Sequence, residues 1–210
     1  MKSWQNSTLH SILPNKYGNG ATLVVSLLML LVILLLSMSM ANMALTDEKV
    51  ARNERERQIA LNAAESALLD AEMDIDNPTS TRSTVFSSQS AIGFTEDCGI
   101  GATPIHQGLC LYRGNEQAAA WRSVDLADTS SNSASVSFGR FTGRNMPDGG
   151  PTLSIHKPRY IIELMPDNEA GQSESPSFIY RITAIGFGTT TKTQAVVQSV
   201  YRKARSDRLP

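Results

Sequence analysis

The sequence predicts an α+β fold in which one long N-terminal helix, apolar in its first half, packs on a C-terminal antiparallel β-sheet domain. Three observations lead there. No Gly or Pro interrupts the 57 residues from Ala21 to Asn77. Toward the end of that stretch, Leu61, Ala64, Leu68, Ala71 and Ile75 recur at helical spacing and form one apolar stripe. Beyond Pro78, β-branched and aromatic runs alternate with Gly, Ser and Thr clusters. At 210 residues the chain holds this helix and one moderate domain.

Residues 1–20 carry Lys2 and Lys16 and no acidic residue, a sign that keeps an N-terminus cytoplasmic. From Ala21 to Leu36 only Thr22 and Ser26 are polar, and the apolar character thins toward Ala44. This run exceeds the roughly 7–15 residues of a cleaved signal-peptide core, so 21–44 reads as a retained transmembrane helix. Ser37, Ser39 and Ala41 keep signal-peptidase cleavage open as the alternative.

Residues 45–77 read as an amphipathic stem. Glu48 with Arg52, and Glu54 with Arg57, have the spacing of helix-surface ion pairs, worth a few tenths of a kcal/mol each. Ala60, Ala63, Ala64, Ala67 and Ala71 keep the helix thin and allow close approach, either to its own domain or to neighbouring stems. Asn77-Pro78 closes it, because the residue before a proline is pushed out of the helical region. A helix over the whole stretch would extend roughly 85 Å.

Residues 78–210 read as an exported β domain. Thr79 to Ser90 is a Ser/Thr-rich connection. Cys98 and Cys110 enclose eleven loop-forming residues. Outside the inner membrane such a pair is expected to form a disulfide, worth roughly 2–3 kcal/mol in the chain-entropy model. Weak strands are expected within 129–152 (Val136 to Phe138), a firm one over Pro158–Met165, and a hairpin from Phe178–Gly188 and Thr193–Arg202 around a turn at Gly188–Lys192. The hairpin's apolar alternation is read at Ile182, Ala184 and Val196. Such a sheet, laid on the lower helix, would cover Leu61, Leu68 and Ile75.

Catalytic signals are absent from the sequence. It has no Gly-x-Ser-x-Gly, Walker or dinucleotide fingerprint. His106 with the two cysteines lacks a fourth ligand, and Asp74 and Asp76 read as a solvated helix end, so no metal is expected. Net charge of −1 and pI near 6.3 favour no nucleic acid, and Arg202 to Arg208 reads as a fraying basic tail. No enzyme activity and no cofactor are expected.

Lys16-Tyr17-Gly18-Asn19-Gly20, abutting Ala21-Thr22-Leu23-Val24-Val25, resembles the class III signal of type IV pilins. The resemblance implies cleavage by prepilin peptidase between Gly20 and Ala21, and N-methylation of Ala21. Most pilins carry Glu where this chain has Val25. By resemblance that carboxylate compensates the N-terminal ammonium of a neighbouring subunit, whose burial unpaired costs several kcal/mol. Val25 therefore either marks a capping or tip-proximal subunit or simply faces lipid.

Residues 20–28, Glu48–Asn53 and Arg57–Leu68 are similar to the N-terminal region of the PilX family of minor pilins. Gly108-Leu109-Cys110, Trp121–Val124 and Pro158–Glu163 resemble its later regions. Asn53 directly after Arg52 departs from the family's block, which has a glycine there. The family implies the pilin architecture, a single-pass inner-membrane protein with its C-terminal domain in the periplasm, and later residence in the pilus at the cell surface. It implies a role in priming pilus assembly and a place at the tip. The implied partners are other minor pilins, the major pilin, a large pilus-tip adhesin, prepilin peptidase and inner-membrane lipid. A K-position pseudopilin of type II secretion is the first alternative; an anchored or exported periplasmic binding protein is the second.

Overall fold

The computed structural model describes residues 19–86, 90–99, 104–114, 119–167 and 178–203. Residues 1–18 of the expected leader 1–20, and residues 204–208 of the expected tail Arg202–Arg208, lie outside the described residues. Helix α1 runs Asn19–Asp76 without a break. The chain divides into two compact units, Met1–Ala51 and Arg52–Pro210.

In the first unit every side chain from Gly20 to Ala51 is exposed, including the whole run Leu23 to Leu36. The helix is long and apolar enough there to cross a membrane. Four of its hydroxyls bond to carbonyls of the helix itself. Ser26 donates to the Leu23 carbonyl, Ser37 to Ile33, Ser39 to Leu35 and Thr46 to Asn42. Such back-bonding leaves no hydroxyl proton in need of water.

In the second unit the strands are β1 (Leu109–Leu111), β2 (Val136–Ser137), β3 (Arg159–Pro166), β4 (Phe178–Phe187) and β5 (Gln194–Tyr201). A short helix α2 (Ala120–Ser123) lies between β1 and β2. The sheet order is β1-β3-β4-β5, with β2 paired to β3. β3, β4 and β5 are antiparallel, but β1 runs parallel to β3. The sheet is therefore mixed where the sequence suggested antiparallel. The connection from β1 to β3 is long enough for the crossover that a parallel pair requires, and it holds α2 and β2.

Both faces of the sheet are covered. On one, Tyr160, Ile162, Leu164, Tyr180, Ile182 and Ala184 pack against Ala67, Ala71 and Ile75 of α1. On the other, Ile161, Ile185 and Phe187 pack against Cys98, Cys110, Ala120, Leu126 and Ala134. This explains the near-continuous apolar run of β4, whose Tyr180 and Ile182 to Phe187 are all buried. Val196, part of the apolar alternation read in the hairpin, lies outside the core. It stands opposite Ile185, on the face away from α1, and is 52% exposed; Val197 and Tyr201 pack toward the helix instead.

The centre of the helix stripe also differs from expectation. Ala60, Ala63, Ala64, Ala67, Ala71 and Ile75 are buried, whereas Leu61 and Leu68 are half-buried at the margins. The cause is Gly186. A Cβ there would lie 2.1 Å from the Ala60 carbonyl oxygen and 2.3 Å from the Ala64 nitrogen. Helix backbone touches strand backbone, and a leucine on that line would hold them apart. Gly186→Ala should therefore cost about 2–3 kcal/mol or more, read as a clear drop in thermal midpoint of the full-length chain in detergent. An unchanged midpoint would contradict the backbone contact.

Candidate functional site: the stem helix and its seat

The chemistry of this molecule lies in how α1 is held, because polar groups from several segments of the second unit converge on it. Asp74 points into the core and is fully buried. It forms an ion pair with the equally buried Arg82, whose Nε donates to both carboxylate oxygens at 3.0 Å. Tyr160 Oη donates to Asp74 Oδ2 at 2.9 Å. Arg82 Nη1 donates to the Gln107 carbonyl at 2.8 Å, and its guanidinium lies 3.7 Å from the Phe141 ring centroid. A buried charge pair is tolerable only with its remaining donors and acceptors satisfied, and here they are largely supplied by three separate segments. Burial, reinforced by the Asp74 charge, pushes the Tyr160 hydroxyl well above its ordinary pKa.

One turn earlier, Asp70 accepts from the Gly139 N–H at 2.7 Å and from the Thr142 hydroxyl, with Arg144 4.0 Å away. Burial raises the Asp70 pKa above 3.8, partly offset by those bonds. The folded chain thus holds this proton more tightly than the unfolded chain. Asp70's contribution to stability is complete below the unfolded value and declines as pH rises through the raised one.

Two further ties fix the helix along its length. Glu56 accepts from the Thr189 N–H at 2.8 Å and from its hydroxyl, at the β4–β5 turn. At the C-terminal end, Lys203 Nζ donates to the Ile75 carbonyl at 2.7 Å, and the Tyr201 hydroxyl donates to Asp76. The ammonium meets the carbonyls that the last helical turn leaves open. Burial and the Asp76 carboxylate push the Tyr201 hydroxyl up to about 12.

The sequence places both Asp74 and Asp76 on a solvated helix end; in the structure only Asp76 is exposed. The signal for Asp70 and Asp74 was their register. They lie three residues after Ala67 and Ala71, on the stripe that the alanines mark as buried.

Cys98 and Cys110 are joined by a disulfide and fully buried. Gly99, at φ +75°, allows the enclosed loop to close, since a Cβ there would meet the His106 carbonyl at 2.3 Å. His106 Nδ1 lies 3.0 Å from the Gly93 carbonyl oxygen. Among the described residues no three His, Cys, Asp or Glu side chains are grouped to hold a metal ion. A cavity of about 80 Å³ lined by Gly99, Gln107, Ser133 and Arg140 has room for a few waters, against roughly 300–1,000 Å³ for ligand pockets. Gly20, Ala21 and Val25 belong to the first unit, exposed in the opening turns of α1, and a Cβ on Gly20 would meet nothing within 4 Å.

A long N-terminal helix, bare in its first part and seated on a mixed sheet in its last, is the pilin-like α+β arrangement. Residues 19–69 match the family model of the PilX N-terminal region, and residues 106–203 match that of the C-terminal region of type IV pilus assembly protein PilX. The chain belongs to the PilX-like type IV pilus assembly proteins. No curated protein and no solved structure matches it.

Asp74→Ala, which strands the buried Arg82, should cost about 3–5 kcal/mol. The double substitution Asp74→Leu with Arg82→Met should recover much of that loss in urea unfolding. Equal loss in both variants would show that the pair's charge is not what matters.

Proposed function

We propose that this chain is a minor pilin that helps prime assembly of the type IV pilus and is incorporated at or near its tip. The observation that carries the reading is the single helix with two kinds of surroundings. Its apolar residues from Leu23 to Leu45 are exposed, while Ala60 to Ile75 form the spine of a folded domain. An apolar helix with no protein partner calls for lipid or the core of a filament. Burying this many side chains is worth tens of kcal/mol in gross terms, so withdrawal from the bilayer needs an external motor.

On this reading residues 1–20 are a leader, 21–44 the transmembrane and assembly helix, 45–77 the stem and 78–210 the periplasmic domain. Prepilin peptidase cuts between Gly20 and Ala21, and Ala21 is then methylated. The helix contacts the major pilin and other minor pilins, and the domain contacts a large tip adhesin. Val25 supports the tip position. A subunit lacking the carboxylate cannot compensate the ammonium of another's N-terminus. The same residue favours the K-position pseudopilin as the second reading.

The test is the mass of the N-terminal peptide from membrane fractions. Methylated Ala21 at the terminus is the expected result; an intact Met1, or a terminus near Met43, would remove the pilin reading. Val25→Glu should shift incorporation away from the tip, as seen by immunogold labelling of sheared pili. Unchanged tip position would show that Val25 merely faces lipid.

A further inference from the structure

β5 ends the sheet, and among the described residues its outer edge has no strand partner. The opposite edge is closed differently: β1 is three residues long, and Thr95 bridges to Cys110 beside it. The Gly188 N–H donates to the Thr193 carbonyl at 2.8 Å, which makes that pair a hydrogen-bonded rung of the β4–β5 ladder. Rungs alternate. Ala195, Val197, Ser199 and Tyr201 therefore turn their peptide groups to β4, and Gln194, Val196, Gln198 and Val200 turn theirs outward.

Those outward residues also share the face away from α1, where Val196 and Val200 are 52% and 59% exposed. Edge strands are commonly guarded by charge, proline, a bulge or brevity. β5 has eight residues, none of them charged or proline, and an unbroken register against β4. We infer that this edge accepts one extended, uncharged strand from a different polypeptide of the pilus assembly, with apolar side chains set against Val196 and Val200. Main-chain hydrogen bonds supply the affinity, and the two valines select the register. The inference rests on reading the chain as a pilus subunit.

A second copy of this chain is the nearest rival, and the stem argues against it. Glu56 meets Thr189 at one end of the hairpin and Asp76 meets Tyr201 at the other, so α1 and β5 run in the same direction. Antiparallel pairing of two β5 strands would point the two stems in opposite directions, whereas subunits anchored in one bilayer keep them parallel. Parallel self-pairing keeps the stems aligned but offers the same alternate residues from both sides. A parallel ladder joins each residue to the two that flank its opposite number, so no two-fold symmetric register exists.

Proline at an outward position removes an edge donor and leaves every β4 bond in place. In the full-length chain, expressed with the pilus machinery, Val196→Pro and Val200→Pro should melt within a few degrees of wild type in detergent. Their amount in sheared pili relative to membranes should fall about tenfold, the size expected from losing one or two main-chain hydrogen bonds. Val197→Pro, which breaks the β4 ladder, should lower both stability and incorporation. Normal incorporation of a folded Val196→Pro chain overturns the inference and leaves the pilus reading standing. Absence of the wild-type chain from sheared pili removes both. A photo-crosslinking residue at Gln194 provides the second readout: an adduct of twice the subunit mass means a second copy occupies the edge, and the inference fails.

Discussion

The contact of helix backbone with strand backbone at Gly186 is the constraint on which the second unit depends. It requires alanines on the facing line of α1 and moves the leucines to the margins. Polar ties add to the apolar contact at intervals: Glu56 to the hairpin turn, Asp70 to the 139–142 segment, Asp74 to Arg82 and Tyr160, and the helix end to Lys203. Each carboxylate of α1 reaches a different part of the chain.

This arrangement suits a helix that serves two purposes. The apolar side chains of the first unit of α1, from Leu23 to Leu45, are exposed, so that surface is available for lipid or for other helices. Multiple directional ties, set around the apolar contact, fix the register of the helix on the domain. In the proposed account, force applied along the anchor during assembly meets ion pairs and hydrogen bonds buried at several levels.

Much of the fold was legible in the sequence because its signals were local. The gap-free run from Ala21 to Asn77, the proline stop, the β3 segment and the β4–β5 hairpin are each set by neighbouring residues, and each appears within a residue or two of where the pattern put it. The parallel placement of β1 depends on pairing across some fifty residues of chain, which no local pattern encodes. Asp74 was misread for a similar reason: its partner Arg82 sits in a Ser/Thr-rich stretch that looks like plain loop, and Tyr160 is far along the chain. The alanine seam was noticed as a route to close approach, but only Gly186 reveals that the approach reaches backbone contact. In the proposed account Gly20, Ala21 and Val25, at the start of α1, act through processing and neighbouring subunits, which a single folded chain does not contain.

The central claim is that one continuous helix passes through lipid, water and protein in turn. Three single substitutions, Leu31→Cys, Asn53→Cys and Ala67→Cys, test it in the full-length chain, where the native cysteines are already joined. A membrane-impermeant maleimide is applied to spheroplasts. The account predicts labelling at position 53 at once, at 31 only after detergent, and at 67 only after denaturant. Labelling at 31 in intact membranes, or at 67 in the folded protein, would contradict it.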